Sequence, residues 1–216
     1  MSPVQVRFTA AADGDLSILQ DPTVVAARRR GVVDLPWTWL RQVHGADVVV
    51  IGSPGDGAGR EADAAVTAQP GAVLAVQTAD CAPVALVSPE GVVGAVHAGW
   101  RGLHQGVLQG AVKAMHDLGA TDVAATLGPC IHAECYEFGA DDLALIAGRF
   151  GDGVRGTTKS GTPALDVPAA VRAALAEAGI EQVDDVDVCT ACDARYFSHR
   201  ARGDTGRQAL VVWLDP

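Results

Sequence analysis

Short, valine-rich apolar runs constrain the fold of this chain more than any other feature of its sequence. Seven of them occur, at residues 48–51, 73–76, 84–87, 92–96, 123–127, 186–188 and 210–214. Most are apolar on both faces, which is typical of strands covered by helices or by a second sheet. Only some of the gaps between them are long enough for a helical crossover, so the runs predict a mixed sheet rather than a strictly parallel one.

Four segments outside these runs carry helical signals. Asp21-Pro22 supplies a cap acceptor and a fixed φ at the start of one helix, and Gly31 ends it. Residues 102–118 place apolar side chains three and four positions apart, which predicts one continuous helix with a buried stripe. Residues 143–150 and 168–178 repeat that spacing. The predicted fold class is therefore α/β (α+β), with a mixed β-sheet covered by helices.

Nothing in the sequence divides the chain into two domains. The glycine-rich segments 52–59 and 151–161 are interpreted as surface loops, and neither separates regions of different composition. Hydrophobic residues make up 49% of the chain and charged residues 19%, which excludes global disorder. We therefore expect one domain over residues 1–216, in a monomer.

The acidic charge balance limits the classes of partner. The chain has 16 basic and 26 acidic residues, for a formal net charge of −10, which repels a phosphate backbone and makes nucleic acid an unexpected partner. The sequence shows neither an apolar stretch of bilayer-spanning length nor a secretory signal. We expect no membrane association and a cytoplasmic location, where the five cysteines are thiols or metal ligands.

Reactive side chains occur in three segments where an apolar run ends in small residues. His44 lies in the first segment, Cys81 in the second and His97 in the third. Two imidazoles and one thiolate suit Zn²⁺ and leave a fourth position for water, which is the pattern of a catalytic rather than a structural zinc site. A zinc ion there would lower the pKa of the coordinated water and so activate it as a nucleophile.

Two other interpretations use the same atoms. Cys81 could be a thiolate nucleophile, with His97 or His44 as its base and Asp80 as the orienting group. Alternatively, Cys81 is a buried structural thiol and each histidine only makes a hydrogen bond in the core. Alkylation of Cys81 distinguishes the zinc-ligand interpretation from the nucleophile interpretation, because a bound zinc ion shields its thiolate ligand from the reagent.

Candidate anion-binding residues lie next to the third segment and near the C-terminus. Gly99 belongs to a glycine-flanked turn that opens a helix, and Arg101 adds a charge that can meet phosphate in a bidentate manner. The alternative is an ordinary strand-to-helix turn with an exposed arginine. A second group is either a guanidinium clamp or a solvated surface: Arg195, Arg200, Arg202 and Arg207.

The other four cysteines could imitate a structural four-cysteine zinc site. Cys189 and Cys192 form a C-x-x-C pair, but Cys130 and Cys135 are separated by four residues and the gap to Cys189 shows no hairpin pattern. We therefore interpret them as buried or partly buried thiols. His104 and His116 are expected to face solvent, whereas His132 and His199 lie in loops that could approach a site.

Five segments, in this order, resemble the YfiH-type family, which has been called laccase-domain or multicopper polyphenol oxidase proteins, purine nucleoside phosphorylases and peptidoglycan editing factors. The segments are QVHGADVVV, TADCAPVALV, VHAGWRG, GPCIHAECYEF and SHRARGDTGRQA. The resemblance extends from about His44 to the C-terminus. It implies a YfiH-like fold and a zinc ion bound by His44, Cys81 and His97.

The resemblance also implies an activity. The expected reactions are phosphorolysis of adenosine, inosine, guanosine or methylthioadenosine to the base and ribose 1-phosphate, and deamination of adenosine to inosine. Our hypothesis is that Gly99, Arg101 and Arg200 hold the phosphate. Small-molecule nucleoside and phosphate are then the partners.

The sequence departs from the family pattern in three places, which affects substrate range. The N-terminal segment is FTAAADGDLS where the family has a T-x-R-x-G-G-x-S stretch. The GPCI segment continues with His132-Ala133-Glu134-Cys135 where the family commonly has Gly and Cys or Pro, and Ser198-His199-Arg200-Ala201 stands in place of Ser-Tyr-Arg-Arg. Two alternative functions stay open. One is a copper-dependent polyphenol oxidase, although six histidines without a His-x-His pair do not provide a four-copper cluster, so that copper would act by replacing zinc. The other is an editing hydrolase acting on peptidoglycan precursors.

Overall fold

Two mixed β-sheets form the centre of the protein, for which a computed structural model describes residues 2–216. The strands are β1 (Val4–Phe8), β2 (Trp37–Trp39), β3 (Val48–Ile51), β4 (Ala64–Thr67), β5 (Val73–Thr78), β6 (Ala82–Ser88), β7 (Val92–Ala98), β8 (Ala124–Leu127), β9 (Arg155–Thr157), β10 (Pro163–Leu165), β11 (Val183–Asp185) and β12 (Gln208–Leu214). The helices are α1 (Pro22–Val32), α2 (Trp100–Gln105), α3 (Val107–Asp117), α4 (Ala140–Phe150), α5 (Val167–Glu177) and α6 (His199–Arg202).

Strand direction changes within each large sheet, which confirms the predicted mixed α/β class. The six-stranded sheet has the order β11-β8-β6-β7-β4-β3, with parallel pairs at its two ends and antiparallel pairs between them. The four-stranded sheet has the order β1-β12-β5-β2, and only β2 runs parallel to its neighbour β5. A two-stranded ribbon of β9 and β10 completes the sheets.

The two large sheets pack face to face, and helices cover the outer face of the larger one. Alternate residues of β6 therefore enter different cores: Val84 joins the core shared with the helices, whereas Ala85 joins the core between the sheets. Met115 of α3 and Leu175 of α5 belong to the helical layer. This double coverage explains why the valine-rich runs are apolar on both faces.

The predicted single helix over residues 102–118 is wrong in one respect, because the structure breaks it at Gly106. That glycine has φ +95°, a left-handed conformation, and its N–H donates to the carbonyls of Gly102 and Leu103. Helix α2 therefore ends there and α3 begins at the next residue. At the start of α1, Asp21 accepts from the backbone N–H groups of Thr23 and Val24, which confirms the predicted cap, although α1 continues past Gly31 to Val32.

The predicted strand at 186–188 is wrong in position, because the strand of this region ends before residue 186. The strand of this region is β11, at Val183–Asp185, and it pairs in parallel with β8. Asp187 has φ +53°, which is incompatible with a continuing strand. Five short strands were not predicted, namely β1, β2, β4, β9 and β10.

The topology brings the reactive segments to one edge of the sheets. Strand β5 ends at Thr78 and β6 begins at Ala82, so that Cys81 lies in the tight connection between the sheets. Strand β6 pairs with β7, which places Pro83 opposite His97. None of the helices within residues 2–216 is both long and apolar enough to cross a bilayer.

Candidate functional site

The structure brings together the three side chains that the sequence singled out as zinc ligands. Ligand atoms of His44, Cys81 and His97 all lie within 4.8 Å of one another. The distance between Cys81 Sγ and His44 Nε2 is 3.8 Å, and the two imidazole rings meet edge to face with centroids 4.9 Å apart. His97 is buried, Cys81 is half-buried and His44 is exposed, so the group has one protected and one open side.

Asp63 orients this group, and the sequence analysis missed it. Its carboxylate accepts from Nδ1 of His97 at 2.7 Å and from the backbone N–H groups of Val43 (3.1 Å), His44 (3.0 Å) and Gly45 (2.7 Å). Asp63 is fully buried, so these bonds satisfy a charge that would otherwise be unfavourable there. One carboxylate therefore fixes both the imidazole of His97 and the loop that carries His44.

The signal for Asp63 was present in the sequence but weak. The residue is the one charged position in the apolar stretch from Ala62 to Thr67, which contains the small strand β4. A lone acid in an otherwise buried strand indicates a specific partner. Which partner it has depends on the fold, because residues 43–45 and 97 are distant in sequence.

The hypothesis that Asp80 orients a catalytic histidine is wrong. Asp80 lines the cavity beside Cys81, but its two carboxylate oxygens accept from Thr190 Oγ1 and from the backbone N–H of Arg200, each at 2.7 Å. Its φ of +94° is a strained conformation for a residue with a side chain. Asp80 thus ties the turn at Cys81 to the C-terminal segment, and Asp63 holds the imidazole.

The contacts within the group shift the pKa values of Cys81 and His97 in opposite directions. Burial by itself raises the pKa of the Cys81 thiol, but the charge of His97 and the hydrogen bond with His44 outweigh it and lower that pKa to about 6. Burial by itself lowers the pKa of His97, but the charge of Cys81 and the hydrogen bond to Asp63 raise it to about 9. Near neutral pH the metal-free protein therefore holds a thiolate beside an imidazolium.

The donor set fits a zinc ion. A tetrahedral site with Zn–S of about 2.3 Å and Zn–N of about 2.0–2.1 Å separates sulfur from nitrogen by about 3.6 Å, close to the 3.8 Å between Cys81 and His44. The bond from Asp63 to Nδ1 of His97 leaves Nε2 for the metal, which is the usual arrangement of a metal-bound histidine. Gly99 leaves space for the ring of His44, because a Cβ at residue 99 would lie 2.9 Å from Cδ2 of that ring.

A cavity of about 600 Å³ lies against the three candidate ligands. Besides them it is lined by Ser17, Ile18, Leu19, Leu40, Arg41, Gln42, Gln77, Thr78, Ala79, Asp80, Tyr136, His199, Arg200 and Arg207. Its size is within the range of small-molecule sites. Thr78 is one of the lining residues, and its buried hydroxyl finds no hydrogen-bond partner within residues 2–216.

Of the two candidate phosphate-binding arginines, the structure places one at the cavity. Arg200 lines it, with its guanidinium 4.6 Å from the ring centroid of Tyr136 and Nη1 donating to the carbonyl of Glu137. Arg101 is exposed, stacks 4.6 Å from the ring of Trp100 and is not part of the cavity lining. Gly99 lies against the candidate ligands and caps α2, a helix of six residues.

The four C-terminal arginines are interpreted from the sequence as either a guanidinium clamp or a solvated surface, and the structure shows both environments among them. Arg195 and Arg202 form ion pairs with Asp193 and Asp204, as expected for a solvated surface. Arg207 lines the cavity together with Arg200.

The histidines outside the candidate ligand set have varied positions. His199 lines the cavity. His116 faces solvent as expected, whereas His104 is half-buried, contrary to the prediction.

The remaining cysteines do not all have the predicted environment. Cys130 and Cys189 are buried and Cys135 is half-buried, as predicted, whereas Cys192 is exposed. Cys135, Cys189 and Cys192 approach one another closely, together with Glu134.

Comparisons with known proteins give matches over most of the chain. A family model described as multi-copper polyphenol oxidoreductase laccase matches residues 10–215. A purine nucleoside phosphorylase of Streptomyces coelicolor is 44% identical over 195 residues, covering 88% of this chain and 80% of the relative. The purine nucleoside phosphorylase YfiH of Shigella flexneri is 39% identical, over 82% of this chain and 73% of the relative. A crystal structure of a Neisseria meningitidis protein superposes with a TM-score of 0.87 at 31% identity, covering 100% of this chain and 96% of that one.

Proposed function

This chain belongs to the YfiH family, whose model is described as multi-copper polyphenol oxidoreductase laccase, and on that premise we propose that it is a zinc-dependent purine nucleoside phosphorylase. The proposed substrates are adenosine, inosine, guanosine or methylthioadenosine together with phosphate, and the products are the free base and ribose 1-phosphate. The proposal includes a second activity, deamination of adenosine to inosine. Relatives of this chain bear the name of the first activity.

The observation that carries the proposal is the convergence of His44, Cys81 and His97 at the wall of a cavity large enough for a nucleoside. Zinc bound there would supply a Lewis acid that activates water or polarises a substrate atom. The chain itself keeps the Cys81 thiol ionised, and Asp63 accepts from Nδ1 of His97 so that Nε2 is left for the metal. The ionised thiol favours metal binding, whereas the imidazolium of His97 has to release its Nε2 proton when zinc binds.

Phosphorolysis requires a cation that holds phosphate against the anomeric carbon. A phosphate oxygen forms the new bond to that carbon while the bond to the base nitrogen breaks, and the base leaves with the electron pair and gains a proton. Arg200 is suited to position the phosphate, because its guanidinium lines the cavity and can bind two phosphate oxygens. The net charge of −10 makes such a local positive group necessary for an anionic substrate.

The cavity also offers neutral hydrogen-bonding groups for the nucleoside. The Thr78 hydroxyl has no partner within the described residues, and Tyr136 lines the cavity beside Arg200. Burial raises the pKa of Tyr136 to about 12, so its hydroxyl keeps its proton and can act as a donor at neutral pH. These two groups are our candidates for contacts with the sugar or the base.

Copper chemistry is a second candidate because of the family description and the donor set. Two histidines and one cysteine also form mononuclear copper sites, and Cu²⁺ generally outranks Zn²⁺ in affinity for such ligands. A four-copper oxidase needs many more imidazoles than His44 and His97 supply. Oxidation of phenols would therefore follow from replacement of zinc by copper. Peptidoglycan editing is the third alternative, and the test below includes a substrate for it.

The test uses purified protein loaded with zinc or with copper. Zinc-loaded protein is incubated with inosine and phosphate, with adenosine alone, and with a muramyl nucleotide carrying serine, while copper-loaded protein is given a phenol. We expect base and ribose 1-phosphate from the first mixture and inosine from the second. Replacing His44, Cys81 or His97 by Ala should abolish turnover and zinc binding at these three residues. Serine release or phenol oxidation without phosphorolysis would contradict the proposal.

A further inference from the structure

Three cysteines and one glutamate meet outside the cavity, in a cluster that the proposed activity does not use. Glu134 and Cys135 belong to a short 3-10 turn. Cys189 forms an isolated bridge with Cys130, and Cys192 lies in the turn that follows it. Their four ligand atoms all lie within 4.8 Å of one another. The Sγ atoms of Cys135 and Cys192 are 3.4 Å apart, and Cys192 Sγ is 4.0 Å from Oε1 of Glu134.

We propose that Glu134, Cys135, Cys189 and Cys192 form a second metal site, which binds a structural Zn²⁺ ion. Tetrahedral zinc with Zn–S of about 2.3 Å and Zn–O of about 2.1 Å separates two sulfurs by about 3.8 Å and sulfur from oxygen by about 3.6 Å. The observed 3.4 Å and 4.0 Å lie on either side of these values, so small side-chain movements are sufficient. Thiolates select zinc over the hard cations Mg²⁺ and Ca²⁺.

The ligand count distinguishes this cluster from the one at the cavity. Four protein ligands close a tetrahedral zinc ion, whereas His44, Cys81 and His97 leave one position for a substrate or water. The second cluster is therefore suited to hold structure together and not to perform chemistry.

Two neighbouring groups contact sulfur atoms of the cluster as a cation or as a hydrogen-bond donor. Lys159 Nζ lies 3.5 Å from Sγ of Cys192, and the backbone N–H of Lys159 donates to the carbonyl of Glu134, which fixes the lysine backbone beside the site. The backbone N–H of His132 donates to Sγ of Cys189 at 3.4 Å. Both contacts stabilise thiolates, which zinc requires, and zinc binding releases the proton of each thiol that is still protonated.

Two hydrogen bonds connect the proposed second metal site to the wall of the cavity. Thr190 lies within the C-x-x-C turn, is fully buried and donates from Oγ1 to Asp80 at 2.7 Å. Asp80 precedes Cys81 and also accepts from the backbone N–H of Arg200. A zinc ion that fixes the turn between Cys189 and Cys192 would thus fix one wall of the cavity.

Cys130 provides the matched control within the same region. It is buried, pairs with Cys189 across the isolated bridge and lies outside the cluster. Its removal should leave the metal content unchanged. A disulfide between Cys135 and Cys192 is the competing use of the same atoms, and mass spectrometry distinguishes it from bound zinc.

The test is the zinc content of the full chain, purified with a reductant and dialysed after zinc loading. We expect two equivalents in the unmodified chain and in Cys130→Ala. We expect one in Cys135→Ser/Cys192→Ser and one in His44→Ala/Cys81→Ser. Because Cys192 is exposed, the milder single variant Cys192→Ser should fold and also retain one equivalent.

A second readout does not depend on turnover. Cobalt replaces zinc with strong thiolate charge-transfer absorption, and the double cysteine variant should lose most of that absorption while the His44→Ala/Cys81→Ser variant keeps most of it. One equivalent in the unmodified chain, lost only in His44→Ala/Cys81→Ser, would overturn the second site. A Cys135–Cys192 disulfide in the reduced preparation would overturn it as well. Neither result bears on phosphorolysis, so the two proposals fail separately.

Discussion

Nδ1 of His97 lies 2.7 Å from Oδ1 of Asp63, with both side chains buried. The same carboxylate accepts from three consecutive backbone N–H groups of the loop that carries His44. One residue therefore sets the tautomer of one candidate ligand and the position of another. This dependence makes Asp63 the positioning residue on which the metal site relies most.

Replacing Asp63 by Asn should weaken zinc binding at His44, Cys81 and His97 by about 10- to 100-fold, the usual effect of removing the partner of a metal-bound histidine. The amide carries no charge to match His97, and its NH₂ group faces donors. Competition with a chromophoric chelator measures the affinity. Asp47→Asn is the control, because Asp47 is exposed and contacts Asp63 only through its own main-chain carbonyl. Equal affinity in the two variants would contradict the role of Asp63.

The metal-free protein should react with iodoacetamide at Cys81 well below the pH at which ordinary thiols react. The pKa of Cys81 is lowered to about 6, so the reactive thiolate predominates above that pH and disappears as the pH falls through it. Peptide mapping after brief alkylation over pH 5–9 gives the profile. We expect a midpoint near pH 6 and protection on addition of zinc.

Two features of that profile are diagnostic. Cys130 should stay unmodified in the folded chain, because it is buried and burial raises its pKa well above the ordinary range. A midpoint for Cys81 near pH 9 would show that His97 and His44 do not stabilise the thiolate.

The parts of the fold that could be predicted are those encoded by local patterns. Residues 48–51 are predicted as a strand and form β3 with the same bounds, because four consecutive β-branched residues favour the extended conformation. Strand β4 (Ala64–Thr67) escaped prediction, since small residues have low strand propensity and pair only because β3 and β7 lie on either side. The break at Gly106 depends on a positive φ that one glycine in a periodic segment does not reveal.

The candidate site divides in the same way. His44, Cys81 and His97 could be selected by ligand softness and by their positions at the ends of apolar runs. For the cluster around Cys192 the sequence suggests only a four-cysteine set with Cys130, which we set aside. The observed cluster has Glu134 instead, and it depends on a 3-10 turn at Ala133–Cys135 and on a bridge between Cys130 and Cys189, which are 59 residues apart in sequence. Contacts between residues that are distant in sequence form only in the folded chain, so the local spacing of residues does not predict them.

Replacing Arg200 by Ala should raise the KM for phosphate by roughly 10- to 100-fold, the effect of losing hydrogen bonds to a charged group. Deamination needs no phosphate and should change by less than about two-fold if the variant folds normally. Arg101→Ala is the control, because Arg101 stacks on Trp100 and does not line the cavity. Initial rates of inosine phosphorolysis and adenosine deamination give both quantities. Equal losses of the two activities in Arg200→Ala would mean that the arginine supports the site as a whole.

Replacing Gly99 by Ala tests whether zinc needs the present position of His44. The added Cβ would lie 2.9 Å from Cδ2 of His44, and 3.5 Å from both Sγ of Cys81 and Cε1 of His97, so the exposed His44 ring has to move. Gly139 is a closely matched control, because it also precedes a helix with φ −62° and ψ 141°, against −68° and 154° at Gly99. A Cβ at Gly139 meets no atom within 4 Å among the described residues.

We expect Gly99→Ala to lose at least about ten-fold in zinc affinity, by analogy with the loss of a group that holds a ligand in place, and Gly139→Ala to match the unmodified chain. Chelator competition gives the affinities, and thermal unfolding of the metal-free variants shows whether both still fold. Because the two glycines share their backbone conformation, a difference between the variants reports the space beside His44 and not a change in helix capping. Unchanged zinc affinity in Gly99→Ala would mean that the metal is held without this imidazole in its observed position, and the three-ligand site would then have to be replaced by one centred on Cys81 and His97.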